Sequence, residues 1–430
     1  MSGKTELQIF EDSPPQMAAE SAVFQDVHPT TALDGTSEKI EFVIQGSDTE
    51  YLDLNDTLLS LRVQLCKQDG TKFVAADADQ PVPSNYFMNA LFSNVTLTLN
   101  DTHIEGGSEI YPYKATIESI FNFSEDAKRI QLLPAGYSDE EDERKKWGKD
   151  SVEFELVGSL RLDFFNQPRY LIPGVSVRIV LTRTKDHFAL HLPKNTAMDP
   201  KFAFKTKLTS ALLYVRRVKV TPFVEKGHSH GFKTKNAIYP YSRTKTVMFS
   251  VPTGTTSFFK ENLFSTALLP KFIIVGMVHG NAYGGSLDQE PFKFQHFNVS
   301  HISLHRDGQS IPYKRAYNPV FPNQAAGQQT KLFADVYVRS MLQNTQILNN
   351  NTSNGVEYKD FYENGYTFFT FNLAPNFDFI QTQVPRDANL RLDLQFSQAL
   401  THPINVIAYA IYDAKLQITR DRNIILDACV

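Results

Sequence analysis

The chain has 430 residues, a length that suggests two to three domains and a core large enough to need no disulfide or metal staple. Hydrophobic residues make up 42% and charged residues 21%, which excludes a disordered chain, and 33 Phe with 18 Tyr favour sheets over long helices. A formal net charge of −4 excludes a protein that coats nucleic acid by neutralising phosphates, and two cysteines, Cys66 and Cys429, make no disulfide framework and point to a reducing compartment.

Residues 1–34 are polar, contain prolines and keep no sustained period, so an N-terminal arm is expected there. The start lacks an apolar stretch, and no secretory leader is expected. From Ile40 onward a period of two dominates. It runs through 41–44 (EFVI), 59–65 (LSLRVQL), 95–99 (VTLTL), 152–156 (VEFEL), 175–181 (VSVRIVL) and 215–220 (VRRVKV). It returns in 299–304 (VSHISL), 366–373, 390–396 (LRLDLQF) and 404–418. Strands with one apolar and one polar face belong to antiparallel sheets that hide one side, and many of them between Gly, Pro and Asn turns predict sandwiches or barrels. Helical spacing is confined to 113–121 (YKATIESIF) and 334–346 (ADVYVRSMLQNTQ). The longest apolar runs, such as 272–278 (FIIVGMV), have strand length, and no membrane span is expected.

The pattern repeats with a long period. FSNVTLTLNDTHI (92–104) is followed by Pro112-Tyr113-Lys114 and a helix; FNVSHISLHRDGQSI (297–311) is followed by Pro312-Tyr313-Lys314 and later a helix. IPGVSVRIVLTR (172–183) matches VPRDANLRLDLQFS (384–397) in its Pro lead-in and strand pattern. Each half closes on a long strand, ALLYVRRVKVTP (211–222) and INVIAYAIYDAKLQITR (404–420). Several matches in the same order imply two similar β domains in tandem, 35–222 and 223–430 after the arm at 1–34, with the junction in the Gly/His/Lys-rich stretch 222–236.

Candidate chemistry is sparse. His228-Ser229-His230 has the spacing of a metal pair but no carboxylate follows, and Lys233 and Lys235 oppose a cation, so a solvated linker is expected. His187 and His191 would share a face only on a helix, which Pro193 and the strand-like surroundings argue against. The run Asp139 to Glu143, followed by Arg144-Lys145-Lys146, lacks the alternating ligands and central Gly of a calcium loop and reads as a charged, solvated insertion. On a strand, Arg217 and Lys219 share one face and Arg216 the other, which is too little for a nucleic-acid platform and suits a sheet face or subunit contact. Asn281 to Gly285 (NAYGG) lacks a phosphate-loop continuation and reads as a turn. Asn94, Asn122 and Asn298 head glycosylation-type triplets that are chance matches without secretion. No nucleophile with its base is present, so no catalytic, cofactor-binding or metal residue is nominated and an enzyme is not expected.

Several segments together resemble one family, the double jelly-roll major capsid proteins of Polinton (Maverick) elements and the related adintoviruses of animals. They are EFVIQGSDTEYLDLNDT (41–57), ALFSNVTLTLND (90–101), YPYKATIESIFNFS (111–124), LRLDFFNQPRYLIPGVSVRIVLTRTKDHF (160–188), ALLYVRRVKVTP (211–222), YPYSRTKTVMFSVPTGTTSFFKENLFSTALLPKFIIVGMV (239–278) and PFKFQHFNVSHISLHRDGQSIP (291–312). The Phe-Asn-Gln-Pro-Arg-Tyr-Leu and Asn-Leu-Phe…Leu-Pro-Lys runs are specific, because composition does not demand them; the chain after about residue 320 matches by strand pattern. The resemblance implies an all-β fold of two tandem eight-stranded antiparallel jelly-roll sandwiches, with a few short helices in loops. It implies a homotrimer with a pseudo-hexagonal outline that tiles an icosahedral shell around double-stranded DNA, as part of the virion. Implied partners are further copies of the chain, neighbouring capsomers, and penton and minor capsid proteins, with no cofactor and no sequence-specific nucleic-acid binding. The loops 68–83, 131–150 and 318–329 are candidates for clasping neighbours, and the arm is expected to order only on assembly, without any intersubunit disulfide. The competing readings are a β-sandwich binding module, a host-retained copy of such a gene without a virion role, and a cupin-type enzyme.

Overall fold

The computed structural model describes residues 16–33, 37–75, 77, 80–107, 109–192, 204–265, 268–286, 289–312, 314–322, 331–343, 354–375 and 383–426. Among them, the first half contributes eight strands to its two main sheets, apart from a short pair at Val82–Pro83 and Leu190–His191: β1 (Ala19–Val27), β2 (Lys39–Ile44), β3 (Glu50–Lys67), β4 (Phe92–Leu99), β5 (Thr102–Glu105), β6 (Phe154–Gly158), β7 (Val177–Arg183) and β8 (Phe204–Val220). They form two antiparallel sheets, ordered β1-β8-β3-β6 and β2-β7-β4-β5. The second half contributes β9 (Ala237–Val251), β10 (Ser257–Lys260), β11 (Phe272–His279), β12 (Val299–Arg306), β13 (Gln309–Ile311), β14 (Phe368–Asn372), β15 (Leu390–Phe396) and β16 (Ile404–Ile418). Their sheets are ordered β9-β16-β11-β14 and β10-β15-β12-β13. The two halves therefore share one strand order, that of the eight-stranded jelly roll.

Alternation explains the packing. Ile40, Phe42 and Ile44 of β2 face Leu59, Leu61, Val63 and Leu65 of β3 across the first sandwich, all nearly inaccessible, while the residues between them look outward. In the second sandwich Ile302 and Leu304 of β12 with Leu392 and Leu394 of β15 face Ile273, Val275 and Met277 of β11 with Val406, Ala408 and Ala410 of β16. The equivalent hairpins β4–β5 and β12–β13 close on tight turns with two consecutive positive-φ residues, Asn100-Asp101 in the first half and Asp307-Gly308 in the second. Such turns match the right-handed strand twist, and Asn, Asp and Gly tolerate the left-handed backbone they require.

The segments that repeat in sequence occupy equivalent places. The pair at 92–104 and 297–311 gives these two hairpins, the Pro-led pair gives β7 and β15, and the closing pair gives β8 and β16. The Pro-Tyr-Lys triplets are not equivalent. Pro112-Tyr113-Lys114 lies in the first turns of helix α1 (Tyr111–Asn122), whereas Pro312 and Lys314 lie in the loop after β13, and Tyr313 is outside the described residues. The helix expected at 334–346 is a short turn, Ala334–Tyr337, that widens into a π-type turn over Val338–Gln343; residues 344–346 are outside the described residues.

The expected arm is corrected at its inner end. Residues 19–27 are β1, the outer strand of the first sandwich, paired with β8 from Ala19↔Val220 to Val27↔Leu213. The alternation that betrays other strands is missing there because Glu20 through Asp26 are exposed on both faces, so nothing selects apolar residues at every second position. Residues 1–15 and Cys429 lie outside the described residues, and so do 323–329 of the third candidate loop. Helix α2 (Pro222–Gly231) joins β8 to β9 across the expected junction, with no buried residue.

Candidate functional site at the seam between the sandwiches

Helix α1 decides how the sandwiches meet. It begins with Pro112 in its first turn, where a missing N–H costs nothing, and ends at Phe123 in extended backbone. Tyr113, Ile117, Ile120 and Phe121 recur at helical spacing, and residues 111–120 are all buried. The Tyr113 ring meets Phe188 of its own half at 5.8 Å and, in the second half, Tyr283 at 6.0 Å, Phe292 at 5.6 Å and Phe294 at 6.2 Å between centroids. Phe121 meets Phe368 of β14 edge-on at 5.3 Å. Further along the seam Phe164 packs on Tyr239 and Tyr241 of β9 at 5.8 and 5.5 Å. Each ring buried here contributes roughly 2–3 kcal/mol through its apolar area.

Two charged positions break the character of α1. Lys114 and Glu118, one turn apart, are buried with Asp163, and Glu105 of β5, its side chain 15% exposed, completes the group. The Lys114 ammonium donates to Glu105, lies 2.9 Å from Asp163 and 3.7 Å from Glu118, and donates to the Arg161 carbonyl at 2.9 Å. Asp163 accepts from the Thr244 backbone N–H at 2.7 Å and its hydroxyl at 3.0 Å, on β9; Glu118 accepts from the Tyr409 hydroxyl at 3.1 Å, on β16. The second Glu118 oxygen has no hydrogen-bond partner among the described residues. Burial, with the Asp163 charge beside it, pushes Glu105 up to about 7. Burial likewise pushes Glu118 up to about 7, against the pull of Lys114. Burial would pull Lys114 down, but Asp163, Glu105 and Glu118 outweigh it and hold it well above its ordinary value.

A cleft of about 940 Å³ opens between the sandwiches beside α1, lined among others by Lys128, Asp139, Arg144, His191, Glu290 and Tyr366. Lys128 reaches across to donate to the Asn354 carbonyl at 2.5 Å, and burial lowers it to about 8. Arg144, fully buried, pairs with Glu290 of the second half at 2.8 Å and donates to the Pro83 carbonyl at 2.8 Å. The insertion at 139–146 is thus corrected: Arg144 is a seam anchor and Asp139 accepts from the Tyr366 hydroxyl of the second half, while Asp142 and Lys146 stay in solvent as expected.

The other sequence candidates are scattered. His228 lies on α2, where its Nδ1 meets the Tyr51 hydroxyl at 2.7 Å, and His230 is exposed. His187 is exposed on a helical turn (Asp186–Ala189), while His191 is buried on a short strand paired with Val82 and kept neutral by burial, its pKa lowered to about 4. Among the described residues no group of three His, Cys, Asp or Glu side chains is placed to hold a metal ion. Arg216 pairs with Asp53 at 3.1 Å and Asp56 at 2.5 Å; Lys219 pairs with Glu20 at 2.9 Å on the other face, where Arg217 donates to Gln25, so these cations tie β8 to its neighbours. Asn281 to Tyr283 lie in a helical turn (Gly280–Tyr283), with Gly285 beyond it at φ 83°. The cluster on α1 escaped the sequence reading because its members come from segments far apart in the chain. Its signal was there: a Lys and a Glu one turn apart in a helix without any other charged residue.

No family model matches this sequence. An uncharacterized protein of Caenorhabditis elegans is 24% identical over 405 residues, which cover 91% of this chain and 93% of that one. Among solved structures, the Sputnik virophage structure determined by cryo-EM aligns with a TM-score of 0.61 at 11% identity, over 99% of this chain and 92% of that one. PBCV-1 VP54, fitted into a reconstruction of Sputnik, aligns with 0.61 at 11% identity over 98% and 100%, and the mavirus major capsid protein with 0.55 at 12% over 99% and 93%. The fold is the all-β double jelly roll of viral major capsid proteins. Among the described residues no helix is long and apolar enough to cross a membrane.

Proposed function

We propose that this chain is a structural shell protein, a major capsid protein of the double jelly-roll type, and acts without catalysis. The observation that carries the reading is the duplication itself: two sandwiches of one strand order, fixed against each other by a buried seam within one polypeptide. Two like blocks side by side give a subunit with two similar lateral flanks, and three such subunits close into a ring of six blocks. A threefold ring then fills a sixfold place in a lattice, through heterologous contacts that close after three copies. The likeness in fold to the Sputnik, mavirus and PBCV-1 capsid proteins supports this reading. The resemblance of the segments between 41 and 312 supports the finer assignment to the Polinton and adintovirus group. The shell would enclose double-stranded DNA, and a wall need not neutralise what it encloses, which agrees with the net charge of −4. Neighbouring capsomers, pentons and minor capsid proteins would be its partners in the virion.

The test is the native mass of the purified full-length chain, combined with electron microscopy of the same sample. Three copies per particle and a hexagonal outline are expected. A monodisperse monomer at high protein concentration, with no ring or shell under any assembly condition, would overturn the reading.

A further inference from the structure

Beside the aromatic packing, five ionisable groups sit in the same seam: Lys114, Glu118, Arg161 and Asp163 are buried, and the Glu105 side chain keeps 15% exposure. Fully ionised, Glu105, Glu118 and Asp163 carry three negative charges against the two positive charges of Lys114 and Arg161. Arg161 is itself buried, with its guanidinium 4.5 Å from the Phe123 ring and its Nε donating to the Tyr86 hydroxyl at 2.9 Å. Helix α1 supplies Lys114 and Glu118, and β5 supplies Glu105. The segment before β7 supplies Arg161 and Asp163, and β16 supplies Tyr409. Burial holds Tyr111 neutral within the first sandwich, where its hydroxyl donates to Asn89 and accepts from the Arg161 backbone N–H. Arg243 and Lys245 of β9 line a smaller cavity of about 280 Å³ that Glu105 and Lys114 also border. An uncompensated charge at such depth costs several kcal/mol, and taking up one proton removes it.

We propose that this cluster is a proton-operated latch: with one carboxyl group protonated it is neutral and closes β9 and β16 onto α1, and with all three ionised it loosens that contact. The latch belongs to the seam of a single chain and holds whether or not the chain builds a shell. Burial, more than any neighbouring charge, raises Glu105 and Glu118 to about 7, so that below this value at least one of the two carboxyl groups keeps the proton that the cluster needs. An unfolded Glu gives its proton up near ~4.3. The folded chain therefore binds more protons than the unfolded chain between those values. Its stability is greatest below the unfolded pKa, falls as pH rises through that window, and has lost the latch contribution above it.

The experiment is thermal unfolding of the full-length chain between about pH 5 and about pH 8.5, with hydrogen exchange of the peptides covering α1 and β9, corrected for the intrinsic rate. The wild-type midpoint should drop by roughly 2–4 °C or more over this range because of the latch. Glu118→Gln keeps an oxygen for the Tyr409 hydroxyl, and it should flatten this dependence and raise the midpoint at the alkaline end. Glu105→Gln provides the same reading if the first variant folds poorly. Glu41→Gln, in an exposed pair with Arg178, should keep the wild-type slope. Equal slopes in wild type and both seam variants would overturn the proposal. So would seam exchange in the wild type that does not quicken toward alkaline pH.

Discussion

The equivalent sheets of the two sandwiches bury their outer faces to different extents. In the first, β1-β8-β3-β6, the outermost strand is exposed on both sides, and ion pairs such as Lys219–Glu20 and Arg216–Asp56 line the sheet. In the second, β9-β16-β11-β14, α1 and the loops of the first half cover the outer face, so that β11 is buried along nearly its whole length and the first seven residues of β16 are buried on both sides. The same topology thus yields a wet sheet and a dry one. The run FIIVGMV follows from this, since a strand buried on both faces loses its alternation. Duplication supplied the strand order; the seam then decided which copy of the sheet became interior.

The difference can be broken most severely at Tyr113. Tyr113→Ala removes the ring that meets four others and should cost ~3–5 kcal/mol in equilibrium denaturation. A cost below ~1 kcal/mol would mean that the dry face is not anchored there. Arg144→Ala comes next. It strands Glu290, whose side chain keeps 27% exposure, so water screens part of the loss and about 1–3 kcal/mol is expected. A double-mutant cycle with Glu290→Gln should return a coupling of at least ~0.5 kcal/mol, and additive effects would show that the two groups act independently. The hairpin turns sharpen the comparison on a smaller scale. Gly308 sits at φ 85° with open space around its Cα, so Gly308→Ala meets backbone strain without a clash and should cost about 1 kcal/mol. On the wet side Phe24, 56% exposed on β1, should tolerate Phe24→Ser within ~0.5 kcal/mol of monomer stability. If that substitution lowers the native mass of an assembled sample while leaving monomer melting unchanged, β1 is a contact between copies.

Much of the architecture was legible in the residues. Alternation located β2, β3, β4, β6, β7, β8, β12, β14, β15 and β16 but not β9, β10 or β11, and the repeated order of the 92–104 and 297–311 segments, Pro-led strands and long closing strands pointed to the duplication. What failed had physical causes. The β1 segment has no buried face, so the pattern that reveals strands had no reason to exist there. The Pro-Tyr-Lys triplets share a word without a place, because a helix start and a strand exit can both accept proline. The seam cluster joins residues from Glu105 to Tyr409, and no local pattern announces which distant carboxylates will converge on one ammonium. Arg144 and Asp139 were hidden in a run whose Asp142 and Lys146 behave as loop charges do.

The exposed helix α2 has one more consequence. It is the single stretch of backbone joining the last strand of one sandwich to the first of the next, and its own contacts amount to little more than the His228–Tyr51 hydrogen bond. Cohesion between the halves resides in the rings and ions on either side of it. A chain nicked within 222–231 should therefore remain one particle, its two fragments clinging to each other as a complementing pair, with the peptide link serving only to guarantee that each half is born beside its mate.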